Sequence, residues 1–280
     1  MSPSDSLSTR VSTVIAGLRG DGRGWTLSAI AGGWFFVLGL RFVIPALLPA
    51  IRADFPVSDT VAGAAITLLW ITYAGMQFPA GALVTRVGER ALLTLSVLAG
   101  AVTMAGYALS PTFAVFLLAT AGFGLASGLY GPARGIVLSR VYTDRDGAAF
   151  GTVLATGSVG AAILPPLATY ATGLVGWRGA LGLTIPGFLF AGYALRAHVP
   201  DRPPTDPGAN ATGGANTPDL NLRSRLRTGA GDIRRAVSSR KVALAVAGTT
   251  LMLFVFQGVT AFLTTYFVVE KGLPERTAAT

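Results

Sequence analysis

The sequence has no cysteine, only one histidine and few charged residues for its 280 positions. The absence of cysteine excludes disulfides, thiolate metal ligands and cysteine nucleophiles. The single histidine, His198, stands at the edge of an apolar run, and no pair of acidic residues falls inside such a run. These residues cannot supply a nucleophile with its base or a set of metal ligands. The sequence therefore predicts a protein that is not an enzyme and holds no metal or cofactor.

Charged residues make up 12% of the chain, against about 25% in soluble proteins, and 51% of the residues are hydrophobic. The mean hydropathy is +0.58. The formal net charge of +9 comes mostly from arginines that fall between apolar runs, and they do not form one basic patch with interleaved aromatic residues. This composition indicates a protein of the lipid bilayer and argues against a nucleic-acid partner.

Seven apolar runs have roughly the 20 residues that a membrane-crossing helix needs. They are residues 26–50, 60–82, 91–109, 112–133, 148–172, 179–197 and 242–268. Lipid cannot satisfy the backbone groups of an open strand, and the runs lack the alternation of a membrane β-barrel. The predicted fold class is an all-α polytopic membrane protein.

Basic residues are divided unequally between the two sides of these runs. The N-terminal tail, residues 1–25, and every second connection after it hold seventeen lysines and arginines, whereas the other side holds four. Because basic residues favour the cytoplasmic side, the N-terminus and the long connection 198–241 are predicted to be cytoplasmic, in a cell membrane. Arg41 belongs to neither side, because it lies inside the first run.

The end of the sequence weakly repeats its beginning. When residues 54–64 are aligned with residues 270–280, Arg41 falls opposite Gln257. The similarity appears after the long basic connection, where a second copy of a six-helix unit would start. The expected halves are residues 26–197, with six helices, and residues 242–280, with one helix and the loop that follows it.

Residues 81–90, GALVTRVGER, form the predicted connection between the second and third runs. The signature of the major facilitator superfamily at this place is Gly-x-Leu-x-Asp-Arg-x-Gly-Arg-Arg. It is matched by Gly81, Leu83, Arg86, Gly88 and Arg90. Thr85 replaces the acid, and Glu89 replaces one basic residue. With its six-helix half, basic linker and restart, the sequence resembles this superfamily of secondary transporters.

The resemblance implies secondary active transport of a small solute by alternating access, with inverted three-helix repeats inside each half. Twelve-helix members need roughly 390 residues at this helix spacing, so about five helices are expected to be missing and the chain alone to be inactive. A seven-helix receptor and an inactive truncated transporter fragment are the alternatives. The resemblance also implies that residues 81–90 latch the two halves when the transporter opens outward. Since Thr85 carries no charge, we expect a weaker latch or one that depends on Glu89.

The fifth run carries a second, degraded match to the same family. Gly151, Gly160 and Pro165 fit the spaced glycines and proline of the antiporter signature, but Leu164 replaces its last glycine. This pattern favours export only slightly.

Arg41 is the strongest candidate for contact with the solute. An arginine at a helix centre costs roughly 2.5 to 3.5 kcal/mol on insertion scales, so it rarely persists there without a partner or a water-filled cavity. It lies about 16 Å along the helix from Arg52, a long distance for its side chain to reach the interface. We therefore predict that it faces a cavity. Its expected partner is an anionic group of the substrate or an acid from the other half.

Four further residues are candidates for the substrate path. Tyr73 and Gln77 share one face of the second helix, where polar contact between helices is an equal alternative. Gln257 is the counterpart of Arg41 in the second half. Tyr130 in the fourth run is also a candidate, although such tyrosines are more often interface anchors. The coupling ion is left open, because the first six runs hold no acidic residue that would relay protons.

Overall fold

The computed structural model describes residues 23–143 and 145–201, together with residues 239, 242–244, 247–248, 251–252 and 255. The chain divides into two compact units, residues 1–214 and 215–280. In the second unit, residues 242–244, 247–248, 251–252 and 255 are helical. The rest of the predicted seventh run, including Gln257, lies outside the described residues. The first unit contains all of the features discussed below.

Six α-helices make up the first unit as far as the structure describes it, and this part contains no β-strand. They are α1 (Arg23–Asp54), α2 (Asp59–Val87), α3 (Glu89–Ala108), α4 (Phe113–Val141), α5 (Asp146–Gly182) and α6 (Ile185–His198). The predicted all-α polytopic fold is thereby confirmed. The helices α1, α2 and α4 extend beyond their predicted apolar runs and include basic residues that follow each run, namely Arg52, Arg86 and Arg140.

The helices have the length and hydropathy of membrane-crossing segments. Within the described residues, five such segments occur, and the last of them, Asp146–His198, is 53 residues long. That is more than twice the length needed to cross the hydrocarbon core. Gly176 interrupts it with φ 72° and ψ 166°, a conformation that glycine adopts without steric cost. The segment therefore supplies two crossings, which agree with the fifth and sixth predicted runs.

The packing of the helices follows an inverted repeat. The most extensive contacts are those of α1 with α5 and of α2 with α4. Exchanging α1 with α4, α2 with α5 and α3 with α6 converts the α1–α5 pair into the α2–α4 pair. This is the arrangement expected of two inverted three-helix repeats.

Glycines allow both of these close pairings. A Cβ at Gly39 of α1 would lie 2.8 Å from the carbonyl carbon of Gly160 in α5. A Cβ at Gly128 of α4 would lie 2.7 Å from the carbonyl oxygen of Tyr73 in α2. Real Cβ contacts are not this short, so the helix backbones approach each other more closely than any larger residue permits.

The helix ends meet in two groups at opposite ends of the bundle. At one end of the bundle, α1 begins, α2 meets α3, α4 meets α5 and α6 ends. We call this the basic end. There, Thr26 donates a hydrogen bond of 2.7 Å to the carbonyl of His198, and the hydroxyl of Tyr142 donates to the carbonyl of Arg23. Burial raises the pKa of Tyr142, which keeps its hydroxyl protonated as a donor.

At the other end, Asp54 joins three connections. Its carboxylate accepts a 2.8 Å hydrogen bond from the indole of Trp177 and an ion pair from Arg178. Arg178 also donates from Nε to the carbonyl of Ser110, at 3.1 Å. The end of α1, the α3–α4 connection and the reversal after Gly176 are thus held together.

Candidate functional site: two arginines on one tryptophan

Arg41 lies in α1 among aromatic rings. Its guanidinium carbon Cζ is 4.1 Å from the ring centre of Tyr73, 5.1 Å from that of Trp34 and 5.5 Å from that of Trp70. Only 2% of the residue is exposed. It therefore does not extend to the interface, and three aromatic rings surround the guanidinium. That Arg41 faces a cavity stays a prediction. The π faces attract the cation and offset part of its loss of hydration.

Arg134 is the site residue that the sequence analysis missed. The predicted fourth span ends at residue 133, which places Arg134 among the basic residues of the following connection. The structure instead continues α4 to Val141, so Arg134 lies inside the helix. Its Cζ is 4.0 Å from the ring centre of Trp34. The apolar residues 135–138 that follow it are the signal that the helix continues.

The two arginines converge because their helices run in opposite directions. α1 leaves the basic end and α4 returns to it, as the contact between Tyr142 and Arg23 requires. Helical side chains lean toward the N-terminus of their own helix. Arg41 accordingly leans back and donates from Nε to the carbonyl of Val37, at 3.4 Å. Arg134 leans the other way, and both guanidinium groups meet at Trp34. We call Arg41, Arg134, Trp34, Trp70 and Tyr73 the arginine-pair site.

The charges of this site lack an acidic partner within residues 23–143 and 145–201. Every Asp and Glu there lies at or beyond a helix end: Asp54, Asp59, Glu89, Asp146 and Asp201. Nη2 of Arg41, and Nε and Nη1 of Arg134, are buried without a hydrogen-bond partner among the described residues. Buried charges of one sign repel each other and are costly unless they are paired. Charged donors of this kind are suited to holding an anion.

Trp34 is held in place by its neighbours. Its ring stacks on Tyr130 with centroids 5.8 Å apart and an interplanar angle of 22°. The hydroxyl of Tyr130 donates to the carbonyl of Ile30 at 2.6 Å, and the residue is fully buried. A Cβ at Gly157 of α5 would overlap the indole of Trp34. Tyr130 therefore packs against Trp34, and its place in the substrate path stays a prediction.

The structure brings together part of the predicted substrate path. Tyr73 belongs to the arginine-pair site, and its ring also meets Trp70 edge to face at 5.8 Å. Gln77 lies one turn further along α2, where a Cβ at Gly131 of α4 would be 2.8 Å from its side-chain oxygen. Gln77 thus packs against α4 at the level between Tyr130 and Arg134.

The predicted gating loop is mostly helical, which corrects our expectation of a connection over residues 81–90. Gly81, Leu83, Thr85 and Arg86 belong to α2, and α3 begins at Glu89. Gly88, with φ 84°, forms the turn alone, because a left-handed residue reverses the chain without further length. The hydroxyl of Thr85 donates to the carbonyl of Ala82 at 2.8 Å.

Glu89 and Arg90 connect this turn to neighbouring helix ends. Glu89 is buried at 2% exposure, with its carboxylate 3.7 Å from the guanidinium of Arg140 in α4. Arg90 forms an ion pair with Asp201, which follows α6. Arg140 also donates to the carbonyls of Pro200 and Asp201 at 3.3 and 3.4 Å. Glu89 and Arg90 thus connect the start of α3 with the ends of α4 and α6.

The fifth-helix motif divides into contact and open positions. Gly160 lies against the backbone of Phe35 in α1, whereas a Cβ at Gly151 would meet nothing within 4 Å. Pro165 lies inside α5.

A sequence profile described as Major Facilitator Superfamily matches residues 29–280, nearly the whole chain. The chain belongs to this superfamily. A curated relative described as a probable L-galactonate transporter of Escherichia coli (strain K12) is 26% identical over 156 residues, which cover 53% of this chain and 34% of the relative. The chain thus spans about a third of the length of that relative.

A solved structure shares the fold of this superfamily member. It is a bacterial homologue of the human drug peptide transporters PepT1 and PepT2, with a TM-score of 0.51 and 18% identity. The match covers 88% of this chain and 58% of that one. Superfamily membership and the apolar helices make the chain a multi-pass membrane protein, and they argue against the seven-helix receptor alternative.

Proposed function

We propose that the protein takes part in secondary active transport of a small anionic solute by alternating access, and that the arginine-pair site binds the anion. One observation carries the proposal: Arg41 and Arg134 share Trp34 without an acidic partner in the described part of the chain. Intramembrane charges are costly and usually mark the path of a substrate or an ion. A carboxylate or phosphate bound by the two guanidinium groups would neutralise charge and so reduce that cost.

The relative's name supports the same class of solute. Galactonate is a sugar acid with a carboxylate, the kind of group that guanidinium donors bind with paired hydrogen bonds. The matched segment covers only about a third of the relative. Galactonate is therefore proposed as an example of the solute class and not as the substrate of this chain.

We propose that the protein lies in a cell membrane with its basic end facing the cytoplasm, and the distribution of arginines supports this orientation. The described arginines at this end are Arg23, Arg86, Arg90, Arg140, Arg145 and Arg196. Arg52 and Arg178 lie at the other end. Moving Arg134 from a connection into α4 lowers the basic count by one and leaves the bias intact, so the positive-inside rule still favours a cytoplasmic N-terminus.

Binding of galactonate and galactitol by the purified protein in lipid nanodiscs tests the proposed class of solute. Both ligands are open six-carbon chains and they differ in charge, so we expect galactonate to raise the unfolding temperature and galactitol, a neutral sugar alcohol, to leave it unchanged. Fluorescence of Trp34 and Trp70 gives a second readout, with Trp70→Phe as the variant that reduces it. Equal effects of the acid and the neutral sugar alcohol, or no effect of any organic anion, would contradict the proposal.

We further propose that Glu89 provides the acid of the cytoplasmic latch. The position of its buried carboxylate supports this role, because Glu89 begins α3 directly after the turn at Gly88, where the resemblance places the latch. Glu89→Gln should shift the population toward the inward-open state, and Thr85→Asp should shift it toward the outward-open state.

Single cysteines introduced at each end measure this balance, since the chain has no cysteine of its own. Asp146→Asn is the matched control, because it removes an acid at the same end whose carboxylate accepts from the adjacent backbone amide of Gly147. If Glu89→Gln and Thr85→Asp both leave cysteine accessibility unchanged, the latch hypothesis is wrong.

A further inference from the structure

We infer that the arginine-pair site selects a dianion, such as a dicarboxylate or a phosphate monoester, over a monoanion of the same size. This inference rests on the proposed function, because it specifies the charge of the anion that the site would bind. The inference is based on two observations. Two guanidinium groups, those of Arg41 and Arg134, lie against the ring of Trp34, and some of their nitrogen donors have no hydrogen-bond partner among the described residues.

The first argument concerns charge balance. Each acidic residue of the described bundle lies at or beyond a helix end, and three of them are paired there: Asp54 with Arg178, Glu89 with Arg140 and Asp201 with Arg90. None of these pairs reaches the arginine-pair site. One negative charge would therefore neutralise only one guanidinium, and the second would remain buried and uncompensated. Two negative charges match the site.

The second argument concerns the donors. Arg41 presents Nη2, and Arg134 presents Nε and Nη1, all buried without a partner among the residues that the structure describes. They come from two helices and lie around one indole. A single carboxylate that pairs with one guanidinium leaves the donors of the other unsatisfied, which is itself costly. A ligand with two anionic groups, or with three phosphate oxygens, satisfies both.

The third argument concerns distance and surroundings. The Cζ atoms lie 5.1 and 4.0 Å from the same ring centre, so their separation cannot exceed the sum of these lengths. A four-carbon dicarboxylate can bridge such a gap. The walls that enclose Arg41 are the rings of Trp34, Trp70 and Tyr73. Aromatic walls exclude water, and weaker screening makes each unit of charge count for more.

Matched ligand pairs test the inference on the purified protein in lipid nanodiscs. The pairs are succinate with succinamate, and ethyl phosphate with ethyl methylphosphonate, at a pH where the first member of each carries two charges. We expect the dianion to bind about tenfold or more tightly than its singly charged analogue. Affinity is measured by tryptophan fluorescence and by the shift of the unfolding temperature.

Variants at position 134 separate charge selection from general damage. Arg134→Gln should lower the affinity for the dianion until it is close to the affinity for the monoanion, whereas Arg134→Lys should keep the preference for the dianion. Arg52→Gln removes a charge at the far end of α1 and should change the affinity for neither ligand. Size-exclusion profiles and unfolding temperatures identify any variant that fails to fold. If Arg134→Gln fails, Arg134→Met replaces it, because it also removes the charge, and Arg134→Lys remains the control that keeps the charge.

Each outcome has a defined consequence. A preference for dianions that Arg134→Gln removes supports the inference. If monoanions bind equally well or better, and binding still depends on Arg41, the inference is wrong while the proposed anion site stands. If the preference persists unchanged in Arg134→Gln, Arg134 is not its cause and the inference is also wrong. If no anion in the panel binds, the inference and the proposed function both fail.

Discussion

Arg41→Leu is expected to lower both the affinity for the anionic solute and the rate of its transport by about two orders of magnitude. Removing one partner of a desolvated charge pair costs about 2 to 5 kcal/mol, and each 1.4 kcal/mol is about tenfold in affinity. Arg41→Lys should retain part of the activity, because it keeps the charge but loses the planar group that lies against Tyr73, Trp34 and Trp70.

The same substitution makes an opposite prediction for stability. Arg41 is buried beside a second cation, and replacing buried charges with apolar residues of similar size is often neutral or stabilising. We therefore expect Arg41→Leu to insert normally and to unfold at the same temperature as the unmodified protein, or a higher one. Loss of binding without loss of stability distinguishes a ligand contact from a packing role.

Arg52→Leu is the matched control for Arg41→Leu, because it makes the same change in the last turn of the same helix. It should leave solute affinity unchanged. Radiolabelled solute uptake and equilibrium binding are measured on both variants at equal amounts of inserted protein. Unchanged uptake in Arg41→Leu refutes the assigned role of Arg41.

The helices and Arg41 could be predicted from the sequence because hydropathy alone locates them. An apolar run of sufficient length has to cross the bilayer as a helix, and an arginine inside such a run is conspicuous. Arg134 could not be found in the same way. It follows Pro132 and Ala133 near the end of a run, where a basic residue is ordinarily a marker of the interface.

Trp34 escaped the sequence analysis for a different reason. An aromatic residue in an apolar run is usually part of the core, and nothing in the first run indicates that two cations converge on it. That convergence depends on the close approach of α1 to α4, through Tyr130, and to α5, through Gly157. Contacts between residues far apart in sequence determine this part of the site.

Glycine pairs four residues apart favour close packing of helices, but their spacing does not distinguish the helix faces. Gly124, Gly128 and Gly131 lie against α2, whereas Gly135, Gly147 and Gly151 would each accept a Cβ without a contact within 4 Å. All of them occur in pairs four residues apart, so the spacing is identical. Which face of a helix meets a neighbour depends on the rotation of the whole helix, which a local pattern does not determine.

Gly160→Ala should therefore destabilise the protein, although Gly151→Ala in the same helix should not. A Cβ at position 160 would overlap the carbonyl oxygen of Phe35 and lie 3.0 Å from its carbonyl carbon. These are backbone atoms, which cannot rotate away as a side chain can, so α1 and α5 have to separate. Overpacking of this kind costs about 1 to 3 kcal/mol. At position 151 the added methyl group meets open space and raises helix propensity.

The separation should also weaken the anion site. Gly157, about one turn before Gly160 on α5, presses against the indole of Trp34, so moving α5 away from α1 frees the ring that both guanidinium groups contact. We expect Gly160→Ala to lower both the unfolding temperature and the anion affinity, and Gly151→Ala to lower neither. Thermal unfolding and tryptophan fluorescence titration measure the two quantities on the same samples. Equal behaviour of the two variants would mean that the close approach of α1 and α5 does not hold the arginine-pair site together.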